Sequence, residues 1–240
     1  DKPAGISSGQ HIRKLKNFLT KEKIGHAGTL DPLATGILIA CLGQMTRFSD
    51  YISVLSKSYQ AEILIGKQTT TGDIEGKILK ETNFIPSERD IKNVIKSFVG
   101  EINQTPPIYS ALKHKGKPLY KYARKGINVE IKPRKIFIDQ INFLSLENNI
   151  LKLEITCGKG TYIRVLAEDI ANKAGSLGTL ANLRRIKSAG YNIGDSLDLD
   201  SLDKDNFRDK IIAPGDSLNS LDDIQSVSYT HLTLPTSSRV

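Results

Sequence analysis

The 240-residue sequence predicts an α+β protein, on three observations. Stretches with apolar residues at helical spacing and β-rich apolar runs occur in the same chain, so neither an all-α nor an all-β class fits. With 39% hydrophobic and 25% charged residues, the chain has the composition of a globular protein. Its length suits one sizeable domain, or one with a small appendage.

Taken in order, residues 1–8 read as a turn, and Ser8 is placed to cap a helix over about 10–19. Ile12, Leu15, Phe18 and Leu19 recur there at helical spacing. A loop rich in Gly follows, and the apolar run 37–42, stopped by Gly43, reads as a buried strand. Residues 46–54 are expected to be helical. Residues 58–66 read as a strand carrying Tyr59, and 69–77 as turns around short strands. A helix begins after Pro86: Ser87 is its cap, Asp90 holds the capping-box position, and Ile91, Val94, Ile95 and Phe98 face inward. Strands are expected near 135–144 and 150–157, then a helix over about 162–173.

The net charge of +8 hides an asymmetry. Residues 1–194 hold 30 Lys and Arg against 17 Asp and Glu, a net +13, whereas 195–240 hold 4 against 9, a net −5. A body this basic suggests a polyanionic partner, and nucleic acid leads. No apolar run approaches the length of a membrane span, and no signal peptide is visible. Cys41 and Cys157 lie in apolar surroundings without metal-ligand spacing, which reads as buried, reduced thiols in a cytoplasmic protein.

Two segments carry the chemistry. The first is Gly25-His26-Ala27-Gly28-Thr29-Leu30-Asp31-Pro32-Leu33-Ala34-Thr35-Gly36, where one carboxylate sits among residues with unusual backbone demands. Asp31 either caps a helix that starts at Pro32 or is held out by the loop as a reactive group. The second segment is 106–135. It holds nine Lys and Arg residues from Lys113 to Lys135 against the single acid Glu130, interleaved with Tyr109, Tyr120 and Tyr122. Cations for phosphates and aromatics for unstacked bases make up a surface that grips unpaired RNA; the other reading is a solvated basic loop.

The first segment fills every fixed position of G-H-x-G-x-L-D-P-x-A-x-G and so resembles the signature of the TruB family, the tRNA pseudouridine(55) synthases. Further family elements recur in order: K-P-x-G-x-x-S at Lys2 to Ser8, K-x-Y-x-A at Lys57 to Ala61, and P-P-x-Y-S-A-x-K at Pro106 to Lys113. G-x-Y-I-R follows at Gly160 to Arg164 and L-x-x-L-R-R at Leu180 to Arg185, with Tyr191 where the family has Phe. The resemblance covers about residues 1–195. It implies a mixed, largely antiparallel central sheet flanked by helices and loops. It further implies that Asp31 is the nucleophile, that Tyr59 is the active-site tyrosine, and that Arg164 pairs with Asp31. His26, Lys2, Tyr162 and Leu183 would contact the substrate, Leu183 against the target base. Lys113, Lys115, Lys117, Tyr120, Lys121 and Arg124 would hold the RNA.

The implied reaction detaches uracil from its ribose, turns it and rejoins it through carbon. It needs a nucleophile for the ribose or the base, which a carboxylate supplies, but no cofactor and no metal. The partner is the T arm of tRNA, and the enzyme is expected to be a cytoplasmic monomer. Residues 196–227 would be an acidic extension opening a small C-terminal region, and 228–240 an unassigned, foreign-looking tail. The family usually ends in a small RNA-binding domain, which this chain lacks or has lost. Three rivals remain at this point: a guide-RNA-dependent ribosomal RNA synthase, a non-catalytic tRNA-binding module, and a carboxylate glycosidase. The last requires a second acid in the pocket.

Overall fold

The computed structural model describes residues 1–19, 21–203, 207–214 and Ser217. Expectations for 218–240, including the tail, lie outside the described residues. Along the chain come α1 (Ser8–Arg13), β1 (Ile24–Ala27), β2 (Thr35–Gly36), β3 (Ile39–Leu42), α2 (Ser49–Val54), β4 (Lys57–Ile65), β5 (Lys67–Thr69) and β6 (Ile78–Glu81). Then follow α3 (Glu88–Lys96), β7 (Gly100–Gln104), β8 (Lys113–His114), β9 (Lys117–Pro118), α4 (Leu119–Ala123), β10 (Arg134–Glu147), β11 (Ile150–Cys157), α5 (Ile163–Lys173), β12 (Gly178–Ser188) and β13 (Tyr191–Asn192).

The architecture is the expected α+β one. A seven-stranded sheet runs β13-β12-β4-β11-β10-β7, with β2 also pairing to β12. Every neighbouring pair is antiparallel except β2 beside β12. Alternation explains the layering. In β4, Tyr59, Ala61, Ile63 and Ile65 are all buried, and in β11 so are Leu151, Leu153, Ile155 and Cys157. Ile163, Leu166 and Ile170 of α5 pack into the same cluster, with Ile91 and Ile95 of α3. The β10–β11 hairpin closes through Asn148 and Asn149, both at positive φ, as a two-residue turn between twisted strands requires.

Several boundaries differ from the sequence reading. Ser7, not Ser8, caps α1, whose N-terminal turn is completed by the Gln10 side chain. The Ser8 hydroxyl instead accepts from the Leu30 N–H at 2.8 Å and donates to the Leu30 carbonyl at 2.9 Å. The helix tightens to a 3₁₀ turn over Lys14–Asn17, and Phe18 leaves the axis to stack on Phe207 with ring centroids 5.1 Å apart. Of the run 37–42 only Ile39–Leu42 is strand, as β3, and the expected helix over 46–54 is a 3₁₀ turn, Gly43–Arg47, followed by α2. No helix starts at Pro32: a single Ala34 N–H to Asp31 carbonyl bond of 3.1 Å turns the chain there. Asp31 is therefore not a helix cap.

The loop is fastened to the sheet at Gly36. Its backbone pairs with Lys2 (2.9 and 3.1 Å) and lies against β12 at φ +104°. A Cβ at Gly36 would stand 2.2 Å from the Arg185 carbonyl oxygen. Gly36→Ala is therefore expected to destabilise the fold by about 2–6 kcal/mol, from backbone strain and overlap together. Urea denaturation checks this, and a midpoint matching wild type would contradict it.

Candidate active site

The loop between β1 and β2 holds Asp31 at its middle, with an apolar anchor on each side: Leu30 is 3% exposed and Ala34 is 1% exposed. Ser8 grips Leu30, and the Gly5 N–H donates to the Pro32 carbonyl at 2.9 Å. The Asp31 side chain is 41% exposed. Its Oδ2 accepts from Arg164 Nε at 2.9 Å, and among the described residues no donor reaches Oδ1. One oxygen is thus pinned, and the other has no donor among the described residues.

Arg164 lies on the first turn of α5 with a side chain only 7% exposed. Its Nη1 donates to the Thr71 carbonyl and its Nη2 to the Tyr109 carbonyl, both at 2.9 Å. Asp73 Oδ2 lies 3.4 Å from Nη1 and is itself 7% exposed. Three segments that are distant in sequence thus converge on one guanidinium. Behind it, a cavity of about 260 Å³ opens between the 69–72 turn and Pro107–Tyr109, so the root of the basic segment adjoins the arginine that holds Asp31.

Tyr59 is buried in β4 and shares a core cluster with Leu30, Ala34 and Leu183. Burial pushes its phenol above the ordinary value of 10, against the opposing charge of Arg185. Leu183, on β12, is 6% exposed. Burial, and then Arg185, pulls His26 below its ordinary value of 6.5; its Nδ1 is buried with no partner among the described residues. Tyr162 precedes α5. Its N–H donates to Gln104 Oε1 at 2.8 Å, its carbonyl accepts from Gln104 Nε2 at 3.1 Å, and Arg134 sits 5.4 Å above its ring.

Lys2 differs from its expected place. It is fully buried, and its ammonium donates to the carbonyls of Pro3 (2.7 Å), Ile6 (2.8 Å) and Pro32 (3.3 Å). It braces the Asp31 loop from beneath and has no exposed surface with which to touch a substrate.

Residues 106–133 are more than a solvated loop. The β8–β9 hairpin turns through Lys115 and Gly116 at positive φ, and α4 packs behind it through Leu119, 2% exposed. The Tyr122 hydroxyl donates to the His114 carbonyl at 3.0 Å, which commits that ring to the hairpin. Lys113, Lys115, Lys117, Lys121 and Arg124 are exposed, and none is in an ion pair among the described residues. Tyr120 is half-buried beneath Arg124, 5.5 Å from its ring.

The sequence reading missed Asp73, Gln104 and the buried cations Lys57 and Arg185. Asp73 answers the search for a second acid, but it reaches Arg164 rather than sharing a pocket wall with Asp31, and Thr71 Oγ1 and the Glu75 N–H already occupy its Oδ1. Losing Arg164 leaves Asp73 buried without its cation. Arg164→Met is expected to destabilise the fold by about 3–5 kcal/mol, whereas Asp31→Asn, half-exposed and still an acceptor, changes it by less than about 1 kcal/mol. Denaturation of the two variants side by side checks this. Equal losses would mean that the buried pair is not the one that matters.

The comparisons with known proteins agree with this geometry. Residues 16–163 match the family described as TruB family pseudouridylate synthase (N terminal domain). The tRNA pseudouridine synthase B of Clostridium kluyveri is 44% identical over 88% of this chain and 73% of its own length. That of Marinomonas sp. is 47% identical over 80% of this chain and 62% of its own. Among solved structures, a chain in the crystal structure of a Cbf5-Nop10-Gar1 complex superposes with a TM-score of 0.69 at 26% identity. That match covers 92% of this chain and 60% of the solved one. With the signature loop, the paired Asp31 and Arg164, and a family match over more than half its length, this chain belongs to the TruB family of pseudouridylate synthases.

Proposed function

We propose that this chain converts the T-loop uridine of tRNA, position 55, to pseudouridine with Asp31 as nucleophile. The observation that carries the reading is a carboxylate with one oxygen fixed by a buried arginine and the other open. In the reaction the N1–C1′ bond breaks and a C5–C1′ bond forms; C5 loses a proton and N1 gains one. Nothing is oxidised or reduced, and no atom is lost. Asp31 forms the covalent intermediate that divides this exchange into two steps.

The target base must first leave its stack, at a cost of a few kcal/mol. Tyr59 and Leu183, which already pack together beside the loop, form the apolar seat for the extruded base. Tyr59 enters as a neutral phenol because burial raises its pKa. His26 meets the RNA as a neutral ring, because burial lowers its pKa. Tyr162 closes the wall ahead of Arg164. The relatives named tRNA pseudouridine synthase B are 40–47% identical, against 23–26% for the Cbf5 chains, which favours a stand-alone tRNA enzyme over a guide-dependent one. No helix among the described residues is long and apolar enough to cross a membrane. We take residues 1–195 as the catalytic unit of a cytoplasmic monomer.

The test is incubation with a bare tRNA transcript followed by chemical mapping of pseudouridine. Wild type should modify position 55 without any protein partner. Asp31→Asn should bind the transcript within a few-fold of wild type and make none, and turnover by a deamidation-free preparation would sink the assignment.

Binding should rest on the hairpin and helix of the basic segment. Each phosphate contact on single-stranded RNA contributes about −0.7 to the log–log salt slope. Neutralising Lys115, Lys117 and Lys121 together should therefore flatten the slope by up to about two units. Tyr120→Ala should weaken binding by about 1–3 kcal/mol without flattening it. Titrations at several salt concentrations decide. An unchanged slope in the triple variant would spread the binding over the whole basic face.

A further inference from the structure

Arg185 is the largest fully buried side chain of the described residues, and no carboxylate pairs with it. In the sheet it stands directly across from Tyr59 on β4 and beside Gly36 on β2. Its Nε donates to the Ile37 carbonyl at 2.7 Å and its Nη2 to the Gly28 carbonyl at 3.0 Å. Its own carbonyl accepts from the Ile37 N–H at 3.0 Å. Gly28 and Ile37 are the two ends of the segment that holds Asp31 at its centre, so one side chain ties both feet of that loop. The same guanidinium faces the Tyr59 hydroxyl, lowering its pKa by charge and hydrogen bonding against the larger effect of burial.

One donor is left over. Nη1 is buried and lacks a well-formed hydrogen bond among the described residues. It lies 3.4 Å from where a Cβ on Gly28 would stand, an ordinary contact distance, and the φ of +83° is what favours glycine there. A buried N–H without an acceptor is costly, and Nη1 therefore calls for a partner. The neighbouring side chains narrow the choice. Lys57 is the other cation packed here, and its ammonium already donates to the Ser53 and Leu55 carbonyls at 2.9 and 2.6 Å.

We propose that Arg185 is a positioning residue for the isomerisation: it fixes the separation between the Asp31 loop and Tyr59, with Nη1 as the donor that faces the Tyr59 oxygen. Arg185 does not touch the reacting atoms. It acts through two groups that do, which is why its effect falls on the chemical step and not on RNA affinity. The proposal rests on the synthase reading given above.

The experiment combines single-turnover kinetics on tRNA transcript with arginine NMR of the free protein. Arg185→Met should slow the single-turnover step by about 100-fold, the penalty for small displacements in a reacting constellation, while the Kd for transcript stays within about threefold. Arg185→Lys keeps the cation but cannot reach both carbonyls at once, and should fall between Met and wild type. Tyr59→Phe combined with Arg185→Met should be no slower than the slower single variant. Multiplying effects, or a loss confined to Kd, would overturn the proposal. Should Arg185→Met not fold, ¹⁵N-arginine spectra of wild type and Tyr59→Phe provide the answer. A shifted Arg185 guanidinium signal supports the contact, and an unmoved one overturns it. That readout needs no activity: a wild type that makes no pseudouridine would defeat the synthase reading while the NMR result still judges Arg185.

Discussion

The Arg164 guanidinium is the interaction on which the site is assembled. A cation with a side chain 7% exposed cannot be left without partners, since an unpaired buried charge costs far more than a hydrogen bond returns. Arg164 finds those partners on the Asp31 loop, on the 71–73 turn and on Tyr109 at the root of the basic segment. The Asp31 loop has its own anchors in buried Leu30 and Ala34, but the guanidinium links it to the other two segments through one planar group with a fixed fork of donors. The orientation of the Asp31 carboxylate and the root of the basic segment are therefore tied to the same group.

The other buried cations follow a different rule. Lys2, Lys57 and Arg185 give their donors to main-chain carbonyls: Pro3, Ile6 and Pro32 for the first, Ser53 and Leu55 for the second, Gly28 and Ile37 for the third. Carbonyl dipoles satisfy the N–H groups without cancelling the charge. Burial accordingly pushes Lys2 and Lys57 down to about 8. The floor beneath the Asp31 loop stays positive, and its dipoles are already oriented. An environment of this kind reorganises little when a charged backbone arrives or when charge develops on a base.

Legibility in the sequence divides along physical lines. Local signals carried well. The Ser87 cap marks α3, whose Asp90 N–H is bonded to the Ser87 hydroxyl as expected. The alternation through Tyr59, Ala61, Ile63 and Ile65 marks β4. The spacing of fixed residues from Gly25 to Gly36 marked the loop as a unit. What failed was whatever tertiary contact decides. Asp31 with Pro32 is a good helix start by local preference, yet Lys2, Ser8 and Gly5 hold the loop open instead. Asp73 sits in a turn-forming Thr-Gly-Asp string, and nothing there announces Arg164 on a helix 91 residues later. Nothing local separates Arg185 from its neighbour Arg184. Arg184 is partly exposed and pairs with Asp1, while Arg185 points the opposite way into the protein, as adjacent strand residues must.

The basic segment shows how a region without strong periodicity still acquires structure. Its roots, Gln104 and Arg134, are direct partners in the β7–β10 ladder, so both ends leave the sheet from one point. Both then turn back onto Tyr162, Gln104 through the backbone and Arg134 over the ring. Between them Leu119 gives the hairpin and α4 a buried foothold, and the Tyr122–His114 contacts close the turn. A flexible basic tail would lose conformational entropy on every RNA encounter. A folded hairpin has met much of that cost in advance. Its roots thus rest on Tyr162, the N-cap residue of α5, two positions from the arginine that orients Asp31.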